Sequence, residues 1–160
     1  MNICIIWQKP ILLAKRKKIC FDQKHLSKLE KRPGVYFFSR RYAGSYLPFY
    51  VGETFNIRGR LKQHLASKKI ADVLRGISDR DLPSIRQGER YFHAGYFKGK
   101  PGQDPKKCLD IVQRQLIEQA VAEELPLLNH QLTRVATHTL TFTGSKNGRS
   151  IFPKRKQIKA

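Results

Sequence analysis

Apolar positions along this chain change period several times, and each change marks an element. Residues 3–6 and 11–13 are short apolar runs divided by Gln8-Lys9-Pro10. They read as a strand, a proline turn and a second extended segment. Residues 14–18 are a basic run, read as solvated loop. Leu26 and Leu29 stand at helical spacing behind Asp22, a natural N-cap, and Arg32-Pro33-Gly34 ends that helix. Residues 35–39 and 49–51 are β-branched and aromatic, as strands are. Gly44, Ser45 and Pro48 make residues 40–48 the expected hairpin loop. Strict alternation places Tyr36 opposite Val35 and Phe37, and Tyr50 opposite Phe49 and Val51.

After residues 54–56 the period becomes helical. Ile57, Leu61 and Leu65 follow at i, i+4 and i+8. Gly59 inside this helix costs about 1 kcal/mol relative to Ala, which fits either chance, the default, or a close backbone approach. Residues 68–74 read as another helix, 77–88 as turns and 91–96 as a strand. Residues 98–107 are a basic loop rich in Gly and Pro. The strongest helical pattern spans 110–125 and is stopped by Pro126. Its apolar residues (Ile111, Val112, Leu116, Ile117, Ala120, Val121 and Leu125) cover so much of the circumference that a central, well-covered helix is expected. Residues 137–143 alternate like a last strand, and from 146 onward the composition is that of a mobile basic tail. These elements predict an α+β fold with a small, mainly antiparallel sheet flanked by helices. Residues 1–32 form an extension packed on the core, 33–130 the core, and 131–160 a C-terminal strand and basic tail.

Charge narrows the function classes. Lys and Arg number 32 against 12 Asp and Glu, a net charge of +20. Such an excess points to a polyanion, nucleic acid first. A membrane surface fits less well, because no basic amphipathic helix stands alone and no apolar run approaches a membrane span. Cys4, Cys20 and Cys108 are widely spaced, with no Cys-x-x-Cys. That excludes the usual zinc spacings and suits a reducing, cytoplasmic setting.

Five side chains offer chemistry. Glu118 shares its helical stripe with Ile111, Val121 and Leu125, costly company for an unpaired carboxylate. It is either an ion-pair partner of Arg114 or a metal ligand. Arg60 and His64 are four apart and share a helix face, as a phosphate fork and a proton exchanger or as plain surface residues. Tyr36 and Tyr50 are sheet-packing aromatics or reacting phenols. Tyr42, Tyr46 and Tyr91 offer faces for stacking on bases or for packing.

Gly34-Val35-Tyr36, Tyr50-Val51-Gly52, Arg60 and His64, followed by Leu116-Ile117-Glu118 and Pro126-Leu127-Leu128-Asn129, resemble the signature of the GIY-YIG nucleases. The resemblance spans roughly residues 33–130. It implies a GIY-YIG-like fold and a divalent-metal-dependent endonuclease acting on nucleic acid, DNA in the first place. Tyr50 matches the residue that activates water, and Tyr36 the one that orients water or phosphate. Arg60 matches an arginine that stabilises transition-state charge, and His64 a position near the reacting groups. Glu118 matches the sole protein ligand of one Mg²⁺ or Mn²⁺. Gly34, Gly52 and Asn129 support the site. Arg58, Lys62, Lys98, Lys100, Lys106 and Lys107 are the expected nucleic-acid contacts. The chain departs from the pattern at Glu53, where many members carry Lys. The alternative is therefore a non-catalytic nucleic-acid-binding module on the same scaffold.

Overall fold

The computed structural model describes residues 2–77, 88–128, 137–141 and 155–159. Its centre is a six-stranded sheet. Strands β1 (Ile5–Trp7), β2 (Ile11–Lys15) and β3 (Lys18–Ile19) come from the N-terminal segment. Strands β4 (Gly34–Tyr42), β5 (Ser45–Thr54) and β6 (Glu89–Phe97) complete it. The order is β3-β2-β6-β4-β5, with β1 also pairing β6, and every pairing is antiparallel. Residues 1–32 thus supply half of the strands.

Helices cover both faces. Helix α1 (Gln23–Ser27) starts at Asp22, whose carboxylate accepts the His25 N–H while His25 Nδ1 accepts the Asp22 N–H. Helices α2 (Ile57–Ala66) and α3 (Lys68–Leu74) bury Ile57, Leu61, Ile70, Val73 and Leu74 with Tyr36, Phe38 and Phe92 of the sheet. Helix α4 (Pro105–Ala122) lies on the other face, where Val35, Phe37 and Val51 meet Leu109, Leu116 and Ile117. Residues of adjacent strand positions therefore belong to different cores, as period-two alternation requires.

Four expectations need correction. The hairpin loop of 40–48 is far shorter, because β4 and β5 pair through Tyr42 and Ser45. Ala43 and Gly44 turn the chain with positive φ (49° and 87°), the conformation that tight hairpins demand. Phe49 does not face away from Tyr50. An irregularity of register beside Phe38 and Ser39 interrupts the alternation, and Phe49 joins the core that Tyr50 packs against. Helix α4 starts at Pro105, capped by Asp104, and is one-sided: Asp110, Ile111, Arg114, Gln115 and Glu118 are exposed. Finally, part of the segment expected as a mobile tail is β8 (Arg155–Lys159), paired antiparallel with β7 (Thr137–Thr141).

Candidate active site

The two glycine–tyrosine triplets have a geometric meaning in the β4–β5 hairpin. Tyr36 pairs with Gly52 across the strands, and Phe38 with Tyr50. The Tyr36 ring lies over Gly52, so a Cβ there would come 2.3 Å from its hydroxyl and 2.4 Å from Cζ. Gly34 is equally constrained, since its Cβ would strike the Gly95 carbonyl at 2.2 Å. Both glycines thus admit close approaches that any side chain would block. Gly59 follows the same logic. Asn56 caps α2 by accepting the Gly59 N–H at 2.9 Å, and its amide occupies the space of a Gly59 Cβ.

This hairpin and α2 bring four of the expected residues together. The Tyr36 hydroxyl lies 2.8 Å from His64 Nε2. The Tyr36 and Tyr50 rings stack at 6.2 Å, and Tyr50 meets His64 edge-on at 4.9 Å. The neighbouring Tyr50 phenol also acts on Tyr36 electrostatically. Phe38 and Phe92 close the cluster. Arg60, one turn before His64, is exposed and donates to Gln63 at 3.2 Å.

Burial tunes these groups. It drives the Tyr36 phenol well above its ordinary range, helped by neighbouring Tyr50 and opposed by Arg60, so this phenol stays protonated. Burial and the Arg60 charge push His64 down to about 4, so its imidazole is neutral at pH 7.

Glu118 is placed differently from the expectation. It is exposed and lines a shallow depression with Lys107, Asp110, Ile111, Arg114 and Gln115. Its neighbour Ile111 is itself 43% exposed, so the apolar stripe does not bury the carboxylate. Among the described residues no ion pair or hydrogen bond involves Glu118, with Arg114 or with the tyrosine–histidine cluster.

The carboxylate beside the cluster is Glu53, whose charge is felt by Tyr36. Its Oε2 is buried and has no hydrogen-bond partner. Burial raises the Glu53 pKa, Asp110 of α4 raises it further, and Arg60 and Lys106 pull it down. Sequence reasoning passed over both Glu53 and Asp110 as ligands. The one signal in the sequence was Glu53 itself, the position at which the chain departs from the GIY-YIG pattern; nothing local singled out Asp110, which has Lys106, Lys107 and Arg114 within one turn of its helix. An orphaned carboxylate oxygen with a second carboxylate within electrostatic reach is compatible with a hard divalent ion, which takes one or two protein oxygens and fills its remaining positions with water and phosphate. Among the described residues no group of three or more His, Cys, Asp or Glu forms a complete cage.

The expected nucleic-acid contacts divide into two kinds. Lys62, Lys98, Lys100, Lys106 and Lys107 are exposed. Arg58 is not suited to that task, because its guanidinium donates to the carbonyls of Leu29 and Ser27 and ties the end of α1 to α2. Asn129 lies outside the described residues. No helix among the described residues is long and apolar enough to cross a membrane. Cys4, Cys20 and Cys108 are free thiols. Comparisons with family models, curated proteins and solved structures give no match.

Proposed function

We propose that this protein is a divalent-metal-dependent endonuclease of the GIY-YIG type that hydrolyses phosphodiester bonds in DNA within a reducing cytoplasm. The observation that carries the reading is the cluster of Tyr50, Tyr36 and His64, with the Tyr36 hydroxyl 2.8 Å from Nε2, Tyr50 stacked on Tyr36 at 6.2 Å and the Arg60 charge felt by both Tyr36 and His64.

Tyr50, half-buried, stands on the accessible side of that chain. Its hydroxyl would take a proton from the attacking water and pass its own toward Tyr36. Tyr36 stays protonated and donates to Nε2, so the neutral imidazole of His64 is the terminal acceptor. A pKa near 4 makes free His64 a weak base. A phosphate seated on Arg60 would cancel the guanidinium's repulsion of the imidazolium and raise that basicity. Arg60 would also hold the charge that develops on the non-bridging oxygens. Glu53 and Asp110 would hold a Mg²⁺ or Mn²⁺ ion, with Glu118 two turns along the same helix face. Such an ion supplies Lewis-acid polarisation of a phosphate oxygen.

The test is nicking of supercoiled plasmid in Mg²⁺ or Mn²⁺. Wild type should nick, while Tyr36→Phe and Arg60→Ala should bind DNA and cut at least a hundredfold more slowly, on the order of what one acid–base group supplies. Glu53→Gln and Glu118→Ala locate the ligand, since the variant that stops responding to metal has lost it. Binding without nicking by wild type would instead establish the non-catalytic reading, for which Glu53 in place of the pattern's Lys is the motive.

A further inference from the structure

A strongly positive concavity lies at the other end of the sheet, where the β2–β3 and β4–β5 turns meet. It is a pocket of about 560 Å³ lined by Lys15, Arg16, Lys17, Arg41 and Arg90, with Glu89 the one carboxylate. Five cations thus face one anion, and that anion is already held by Lys15 at 3.0 Å. Arg90 is a buried guanidinium in the wall, fixed by the Val73 and Gly88 carbonyls. Arg16 and Lys17 stand exposed on the rim with φ of 48° and 64°. Left-handed positions ordinarily go to Gly or Asn, and here two long cations occupy them in succession. Such a concentration of like charge on a strained turn opposes folding and is relieved when a polyanion neutralises it.

We infer that this pocket is a second nucleic-acid contact, which grips the phosphate backbone away from the cut. Six residues along β4 separate Tyr36 from Tyr42, which also lines the pocket. At about 3.4 Å per residue that distance is roughly 20 Å. A duplex advancing about 3.4 Å per base pair would therefore reach the pocket roughly six base pairs from the scissile phosphate. Tyr42, 53% exposed, offers an aromatic face at the rim. The inference rests on the proposed nuclease reading for its ligand class and extends it by fixing where the flanking backbone lies.

The experiment measures binding of the full chain to a fluorescent 24-base-pair duplex by anisotropy in EDTA, across a salt series. Arg16→Gly with Lys17→Gly removes both rim cations while suiting the turn, so folding is preserved. The log–log salt slope should become shallower by roughly 2, about 0.9 for each phosphate no longer neutralised. A control, Lys24→Gln with Lys28→Gln, removes equal charge at exposed positions elsewhere and should leave the slope within about 0.5 of wild type. Equal changes in the two variants, or none in the rim variant, would overturn the pocket while leaving the nuclease reading intact. A wild type that binds neither this duplex nor its single strands would overturn both.

Discussion

Gly52→Ala tests the site and the fold at one atom. The new methyl would sit 2.3 Å from the Tyr36 hydroxyl and 2.9 Å from Cε1, distances that Cβ atoms do not tolerate. The ring cannot simply swing aside, since Phe92 is stacked at 5.6 Å and Tyr50 at 6.2 Å. A shift of about 1 Å would stretch the 2.8 Å bond to His64 beyond hydrogen-bonding range. Overpacking of a filled core costs about 1–3 kcal/mol. A buried hydroxyl left without its partner adds about 1–3 kcal/mol. Removing a glycine from a strand returns about 0.5–1 kcal/mol. The net expectation is about 3 kcal/mol, which for a chain of this length lowers Tm by roughly 6–12 °C. Thermal melting followed by circular dichroism reads this directly. On a Tyr36→Leu background the same alanine should cost almost nothing, giving a coupling of about 2 kcal/mol between the two positions. A Gly52→Ala variant melting within about 1 °C of wild type would show that the ring does not rest on Gly52.

Two other predictions concern charge. His64 and His93 are both held down to about 4, each chiefly by burial. The unfolded chain protonates them near 6.5 and the folded one does not, so stability should fall as pH drops from about 6.5 toward 4. His93, hydrogen-bonded to Ser39 and stacked on Phe37, would contribute about 3 kcal/mol at most, and the more exposed His64 rather less. Glu53, raised by burial, acts in the opposite sense and is the smaller effect; urea melts at pH 7, 6 and 5 should show the net loss, and Ser39→Ala with His93→Phe should flatten it. Arg58→Met should cost about 2 kcal/mol in the same melts through its two broken carbonyl bonds, yet leave the salt slope of DNA binding unchanged.

What could be read from the sequence divides along a physical line. The Arg60–His64 face depends on local geometry, a single helical turn set by residues four positions apart. The Tyr36–Gly52 contact spans sixteen positions and was not legible, since the hairpin was expected to open into a loop over 40–48. Gly59 was legible only in part, because a glycine inside a helix arises by chance as well as from a neighbour pressed against its backbone, here the Asn56 amide. The first two N-terminal strands were legible as strands, but not as partners of β6. That pairing is decided some eighty residues away, where Trp7 meets Gly95. The irregularity that turns Phe49 inward was illegible too, since alternation carries no sign of where it slips.

The rotation of α4, and with it the exposure of Glu118, was illegible for a deeper reason. Helix α4 has more apolar residues than one face can bury, so its sequence is compatible with more than one rotation against the sheet. The choice is made by the residues that β4 and β5 present, Val35, Phe37 and Val51, which meet Leu109, Leu116 and Ile117. That rotation leaves Ile111 and Glu118 in solvent and brings Asp110 near Glu53. The same residue that departs from the GIY-YIG pattern therefore gains a carboxylate neighbour from α4, in a chain where cations outnumber acids 32 to 12. A carboxylate with a buried, unpaired oxygen, within electrostatic reach of a second carboxylate, is costly to ionise in the folded state, and Glu53 holds its proton more tightly in consequence. Lys106 and Arg60 stand near enough to be felt, yet the Glu53 carboxyl remains raised.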